Sequence, residues 1–175
     1  MGWKTFKEKF KIGHTVQITE KGLCIGSIYV HDLVVIDMET GRIKPNRTFD
    51  DFLPRNYPDL YNTLDKEILD AINAKDSFER SIPVYTYDGA EILEKFCEEF
   101  GWPNITHDGC LMYENTYFTT RKAAIEKAIK ENKAGVEIVS TTLKNKRKEV
   151  EDYEGYLEEH RENIRKLQLK LIAES

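Results

Sequence analysis

No run of apolar residues in this chain approaches the roughly 20 that a membrane-spanning helix needs, so a membrane span is not expected. The opening stretch MGWKTFKEKFKIGHT lacks the apolar core of a signal peptide, and the expected compartment is the cytoplasm. An N-myristoylation signal would require Ser or Thr at position six, where Phe6 stands. Cysteine is scarce: Cys24, Cys97 and Cys110 are odd in number and far apart, which excludes a disulfide framework and fits a reducing environment. Without secretion, the sequons at Asn46 and Asn104 carry no glycan. An excess of positive charge is also missing. Lys and Arg number 26 against 31 Asp and Glu, a net charge of −5, which disfavours general binding to a phosphate backbone. There is no phosphate-binding glycine loop, no Gly-x-Ser-x-Gly, no His-Glu-x-x-His and no carboxylate cluster with metal spacing. No cofactor is therefore expected, and a binding protein is expected before an enzyme.

What the chain does have is enough apolar content, 40%, for a real core. Trp3, Phe6 and Phe10 recur at helical spacing and predict a short amphipathic helix lidding a small sheet. From His14 the pattern turns to β-rich runs, TVQIT, LCIGSIYV and LVVIDM, with Glu-Lys-Gly and Met-Glu-Thr-Gly as hairpin signals and RIK as a returning strand. An antiparallel meander is predicted over about 14–45, followed by a turn-rich connector over about 46–57. Leu60, Leu64, Ile68 and Ile72 form a stripe that predicts one helix from Pro58 to about residue 74. Two strand-helix units should follow. In the first, SIPVYTY is the strand, and a helix runs from an Asp88 cap through Ile92, Leu93, Phe96, Cys97 and Phe100 to Gly101. In the second, CLMYENTYF is a strand or hairpin, Thr119 or Thr120 caps a helix, and Gly135 ends it. The expected class is α+β, with a domain over 1–134 and a long C-terminal helix, a candidate coiled coil, over 135–175.

That last segment holds the strongest pattern. Val136, Leu143, Val150, Leu157, Ile164 and Leu171 recur every seven residues, and Val139, Tyr153 and Leu167 fill half of the positions three later. As a continuous helix it would span on the order of 55–60 Å, longer than so small a domain can cover. A basic block, Lys144, Lys146, Arg147 and Lys148, precedes an acidic one, 149–159. Two such helices crossing antiparallel near residue 150 would oppose these blocks, which predicts a homo-oligomer or a protein partner. The alternative is a hairpin with the preceding helix.

Other candidates are local. His31-Asp32 and His107-Asp108 resemble the dipeptide of metal phosphohydrolases, but they fall in strand or turn context, and His160 is the other helical histidine. The plainer reading is Asp closing a strand or opening a turn. His107 and Cys110 have half the spacing of a zinc site, with Cys24, His14 or His31 as conceivable complements, and they are the weak metal candidates. The same pair is the one local option for a cysteine nucleophile. Tyr29, Tyr85 and Tyr87, with the basic block, give a nucleic-acid alternative in which bases stack on aromatic rings. Tyr113, Tyr117 and Phe118 around Asn115 are either an aromatic interface edge or core.

The phrases MGWKTFKEKFKIGHTVQITEKGLCIG and HDGCLMYENTYFTTRKAAIEKAIKENKAG, followed by a long charged helix, resemble small uncharacterised proteins of bacteriophage genomes. That resemblance implies an accessory protein acting in a bacterial cytoplasm, where such proteins bind and modulate host or phage machinery. It carries no catalytic residue. The expectation is a non-enzymatic protein-binding accessory that works through its C-terminal helix.

Overall fold

The structure, a computed structural model, describes residues 2–46, 48 and 50–174. The class is α+β. The Met1 start, parts of the connector at Arg47 and Phe49, and Ser175 at the end of the expected helix lie outside the described residues. Contacts divide the chain into two units, Met1–Glu126 and Lys127–Ser175.

In the first unit, helix α1 (Trp3–Lys9) precedes an antiparallel meander of β1 (Thr15–Thr19), β2 (Gly22–Gly26), β3 (Val34–Ile36) and β4 (Ile43–Lys44), paired in sequence order. Val16 lies opposite Ile25, and Leu23 opposite Ile36, so the apolar alternation of each strand falls on one face. Phe6 of α1 is fully buried with Val16, Leu23, Ile25 and Ile36, which makes α1 the lid that its spacing predicts. The backbone N–H groups of Lys4 and Thr5, orphans of the first helical turn, donate to the Asp76 carboxylate at 3.0 and 2.7 Å.

Three short helices follow: α2 (Phe52–Asn56) inside the expected connector, α3 (Pro58–Tyr61) and α4 (Asp65–Asn73). The single helix expected over 58–74 is therefore broken. Leu60, Ile68 and Ile72 are buried as the stripe requires, but Leu64 is exposed and extended (φ −67°, ψ 143°). Asn62 and Thr63 turn their side chains back onto the carbonyls of Pro58 and Asp59, and Asp65 and Glu67 favour a fresh helix start through the macrodipole.

The next departure is larger. Residues 88–101 do not form the expected helix; Glu91–Cys97 is strand β6, paired antiparallel with β5 (Ile82–Asp88). Asp88 and Glu91 close a two-residue turn in which Gly89 takes φ +56°, a conformation glycine adopts without strain. Glycine at the first position of a two-residue turn, here Gly89 before Ala90, is a hairpin signal, and it overrides the helical spacing of the apolar residues. The first strand-helix unit is thus a hairpin. A second small core gathers Val84, Cys97, Met112 and Tyr117, bordered by Ile82, Trp102 and Cys110. Strands β7 (Asn104–Ile105) and β8 (Leu111–Met112) form a further pair.

Helix α5 runs without interruption from Arg121 to Ala173. Thr120 starts it, its Oγ1 accepting from Ala123 N–H at 3.2 Å. The helix therefore begins well before residue 135, and Gly135 does not stop it. Each interior glycine costs about 1 kcal/mol relative to Ala; with strong helix formers on both sides and no proline, that cost is too small to end the helix.

Candidate functional site

The nine seam residues lie on one continuous helix, and each is exposed, from 49% at Leu143 to 70% at Leu171. Val136, Val139, Val150, Tyr153, Leu157, Ile164 and Leu167 fall between these values. Single exposed apolar residues need no explanation; a stripe sustained over several heptads has the spacing of a helix that packs along one side. The same helix carries ion pairs at helical spacing, including Lys146 with Glu149 at 2.6 Å and Lys127 with Glu131 at 2.6 Å. The basic block lies on the same helix, where Lys144, Arg147 and Lys148 share one side with Leu143. The tyrosines of the nucleic-acid alternative belong to the first unit. Tyr85 donates its hydroxyl to Glu94 at 2.9 Å, and Tyr29 is exposed.

In the first unit, the stretch 103–118 is built as a brace. Gly109 takes φ +85° and presents its carbonyl to Ile18 N–H at 2.8 Å on the open edge of β1. A side chain at Gly109 would collide with Ile18, its Cβ 2.7 Å from two of that residue's atoms. Tyr113 donates its hydroxyl to the Ile28 carbonyl at 3.1 Å, Tyr117 is core, and Phe118 exchanges backbone hydrogen bonds with Tyr85. These aromatic residues are occupied within the fold.

The loop around Cys110 gathers the first unit's chemical groups. Thr106 holds it closed: its hydroxyl donates to Asp108 and accepts from Cys110 N–H at 2.9 Å. Lys95 of β6 bonds Asp108 and also reaches Cys110 Sγ at 3.2 Å. Burial pulls the Lys95 ammonium toward neutrality, but the bonds to Asp108 and Cys110 outweigh it and hold the lysine well above its usual range. For Asp108 burial likewise opposes charge, yet Lys95 and Thr106 keep the carboxyl below the ordinary carboxylate range. Tyr117 is pushed up to about 12, chiefly by burial.

The thiol's neighbour is thus a cation, and among the described residues no three His, Cys, Asp or Glu side chains are grouped to hold a metal ion. His107 does not bond Cys110. Its ring lies flat on Phe78, centroids 3.8 Å apart, and its buried Nε2 has no hydrogen-bond partner. The half-zinc and Cys-His readings are not assembled. Elsewhere, Cys24 is buried beside Thr19, His14 bonds Tyr57, and His31 packs on Tyr113. Both His-Asp dipeptides instead place the aspartate on a lysine: Asp32 pairs with Lys21 at 2.5 Å, and Asp108 with Lys95. Lys95 was hidden because 88–101 reads as a helix. In a strand it shares a face with Leu93 and Cys97, and that alternation was the available signal.

No helix among the described residues is long and apolar enough to cross a membrane. Comparison with protein-family models, curated proteins and solved structures finds no match.

Proposed function

We propose that this chain is a non-enzymatic accessory protein, of the kind its phage resemblance implies, that acts by protein association through the apolar seam of α5. One observation carries the reading: nine apolar seam residues on an unbroken helix all stand at least 49% exposed. Covering such a stripe removes apolar surface from water at about 25 cal/mol per Å², which favours a helical partner. The first unit supplies a folded body whose polar cluster is satisfied by its own groups, with Lys95 bound to Asp108 and Cys110. The role drawn from this is binding and modulation of a host or phage protein in a bacterial cytoplasm.

The test compares the full chain with Val150→Asp/Leu157→Asp. Light scattering at two concentrations reads self-association, and capture with stoichiometric recovery reads a heterologous partner. Loss of association in the seam variant, with the first unit still folded, is the expected result. Association that the variant leaves unchanged, or none by either measurement, overturns the reading.

A further inference from the structure

This inference rests on the reading above and names the seam's occupant. We propose that α5 pairs antiparallel with α5 of a second copy of this chain, in the register that sets Val136 against Leu167 and Val150 against Tyr153 of that copy.

Charge on the two flanks of the seam selects this arrangement. The series Val136, Leu143, Val150, Leu157 and Ile164 fills one core position of each heptad; Val139, Lys146, Tyr153, His160 and Leu167 fill the other. A parallel, in-register pair would set Lys146 on Lys146 and His160 on His160, and it would bring Glu149 beside Glu154. Like charges would face each other in the seam and at its edge.

In the antiparallel pair the two series face one another, so Val139 meets Ile164, Leu143 meets His160, and Lys146 meets Leu157. The Lys146 stem can lie along Leu157 while its ammonium keeps Glu149, 2.6 Å away within its own helix. Along one flank Arg147 then faces Glu154 of the second copy, twice by symmetry, and Ser140 faces Arg161. Along the other, Glu149 faces Tyr156 and Thr142 faces Asn163. No like charges meet.

Sliding by one heptad destroys this match in either direction. One slip opposes Arg147 to Arg147 and Glu149 to Glu149. The other opposes Glu154 to Glu154 and Arg147 to Arg161. Among neighbouring registers, only the proposed one has an opposite-charge pair and no like-charge pair. The seam residues from Val136 to Leu167 are exposed along the whole overlap.

The experiment uses full-length chains in a Cys110→Ser background, because Cys24 and Cys97 are buried and Cys110 is partly exposed. Val136→Cys and Leu167→Cys are oxidised separately and as a mixture. In the proposed pair, residue 136 lies about 46 Å along the axis from its own copy, whereas a disulfide needs Cα atoms within about 7 Å. A disulfide dimer is expected in the mixture alone. Cross-linking of Val136→Cys by itself, or none in any sample, overturns the pairing.

Arg147→Glu and Glu154→Arg should each raise the dimer dissociation constant on the order of tenfold. The double swap should restore it to within about threefold. Absence of rescue overturns the register. If association still depends on Val150 and Leu157 while no cross-link forms, this pairing falls and the broader reading stands; if seam dependence itself is lost, both fall.

Discussion

Isoleucines 68 and 72 and isoleucine 164 all sit in helices at apolar-stripe positions, yet the first two are essentially inaccessible and the third is 56% exposed. The first unit gathers Ile68 and Ile72 into a core of its own; the seam of α5 leaves Ile164 exposed. Periodicity alone therefore reports that a face is apolar and does not report what covers it. The glycines divide the same way. A side chain at Gly41, where φ is +75°, would strike the Asp65 carbonyl and the Leu69 amide, whereas Gly155 has open space around it.

Phe6→Ala should break the first unit most severely. Removing a fully buried aromatic ring costs about 3–5 kcal/mol, and Phe6 joins α1 to the sheet. Urea unfolding followed by near-ultraviolet circular dichroism would show the loss. By contrast, Leu143→Ala in α5 should leave that transition unmoved and weaken association alone.

Gly41→Ala should destabilise the first unit by about 1–3 kcal/mol, through left-handed strain and the clash behind β4. Gly155→Ala has the opposite sign. It should stabilise α5 by about 1 kcal/mol, read as a higher melting temperature of the far-ultraviolet helical signal. If both substitutions move stability the same way, the contrast between a packed and an open glycine is wrong.

The smallest expected effect comes from acid. Hydrogen bonds from Lys4 and the Glu79 amide lower the Glu98 carboxyl, while for Asp108 the bonds to Lys95 and Thr106 overcome burial to lower it as well. A lowered carboxyl contributes stability that is present above its unfolded pKa, near 4, and is lost as pH falls through the depressed folded value. Denaturant midpoints of the first unit should hold from pH 7 to about 5 and decline below about 4. The drop is modest because water reaches both ion pairs. Glu98→Gln should flatten the decline; an unchanged acid profile would remove this pair from the account.

Much of the first unit was legible because its signals agree at short range. The meander follows from β-rich runs ended by Gly22 and Gly41, both at positive φ, and the lid from Trp3, Phe6 and Phe10. The hairpin at 82–97 reads as a helix because Ile92, Phe96 and Phe100 mimic a helical stripe, while the turn at Gly89-Ala90 carries the contrary signal. That error concealed the Lys95–Cys110 contact, which joins residues with no sequence spacing to advertise it. His107 and Cys110 were the visible pair, and the fold sends His107 to Phe78 and Cys110 to Lys95.

By itself the sequence determined the α+β class, the meander and the heptad helix, because each rests on repeats of two, 3.6 or seven residues along the chain. Tertiary structure alone decided that His107 stacks on Phe78 and that Lys95 takes both Asp108 and Cys110. Those outcomes depend on which distant groups meet. Local periodicity is read along the chain, whereas a charge finds its partner across space.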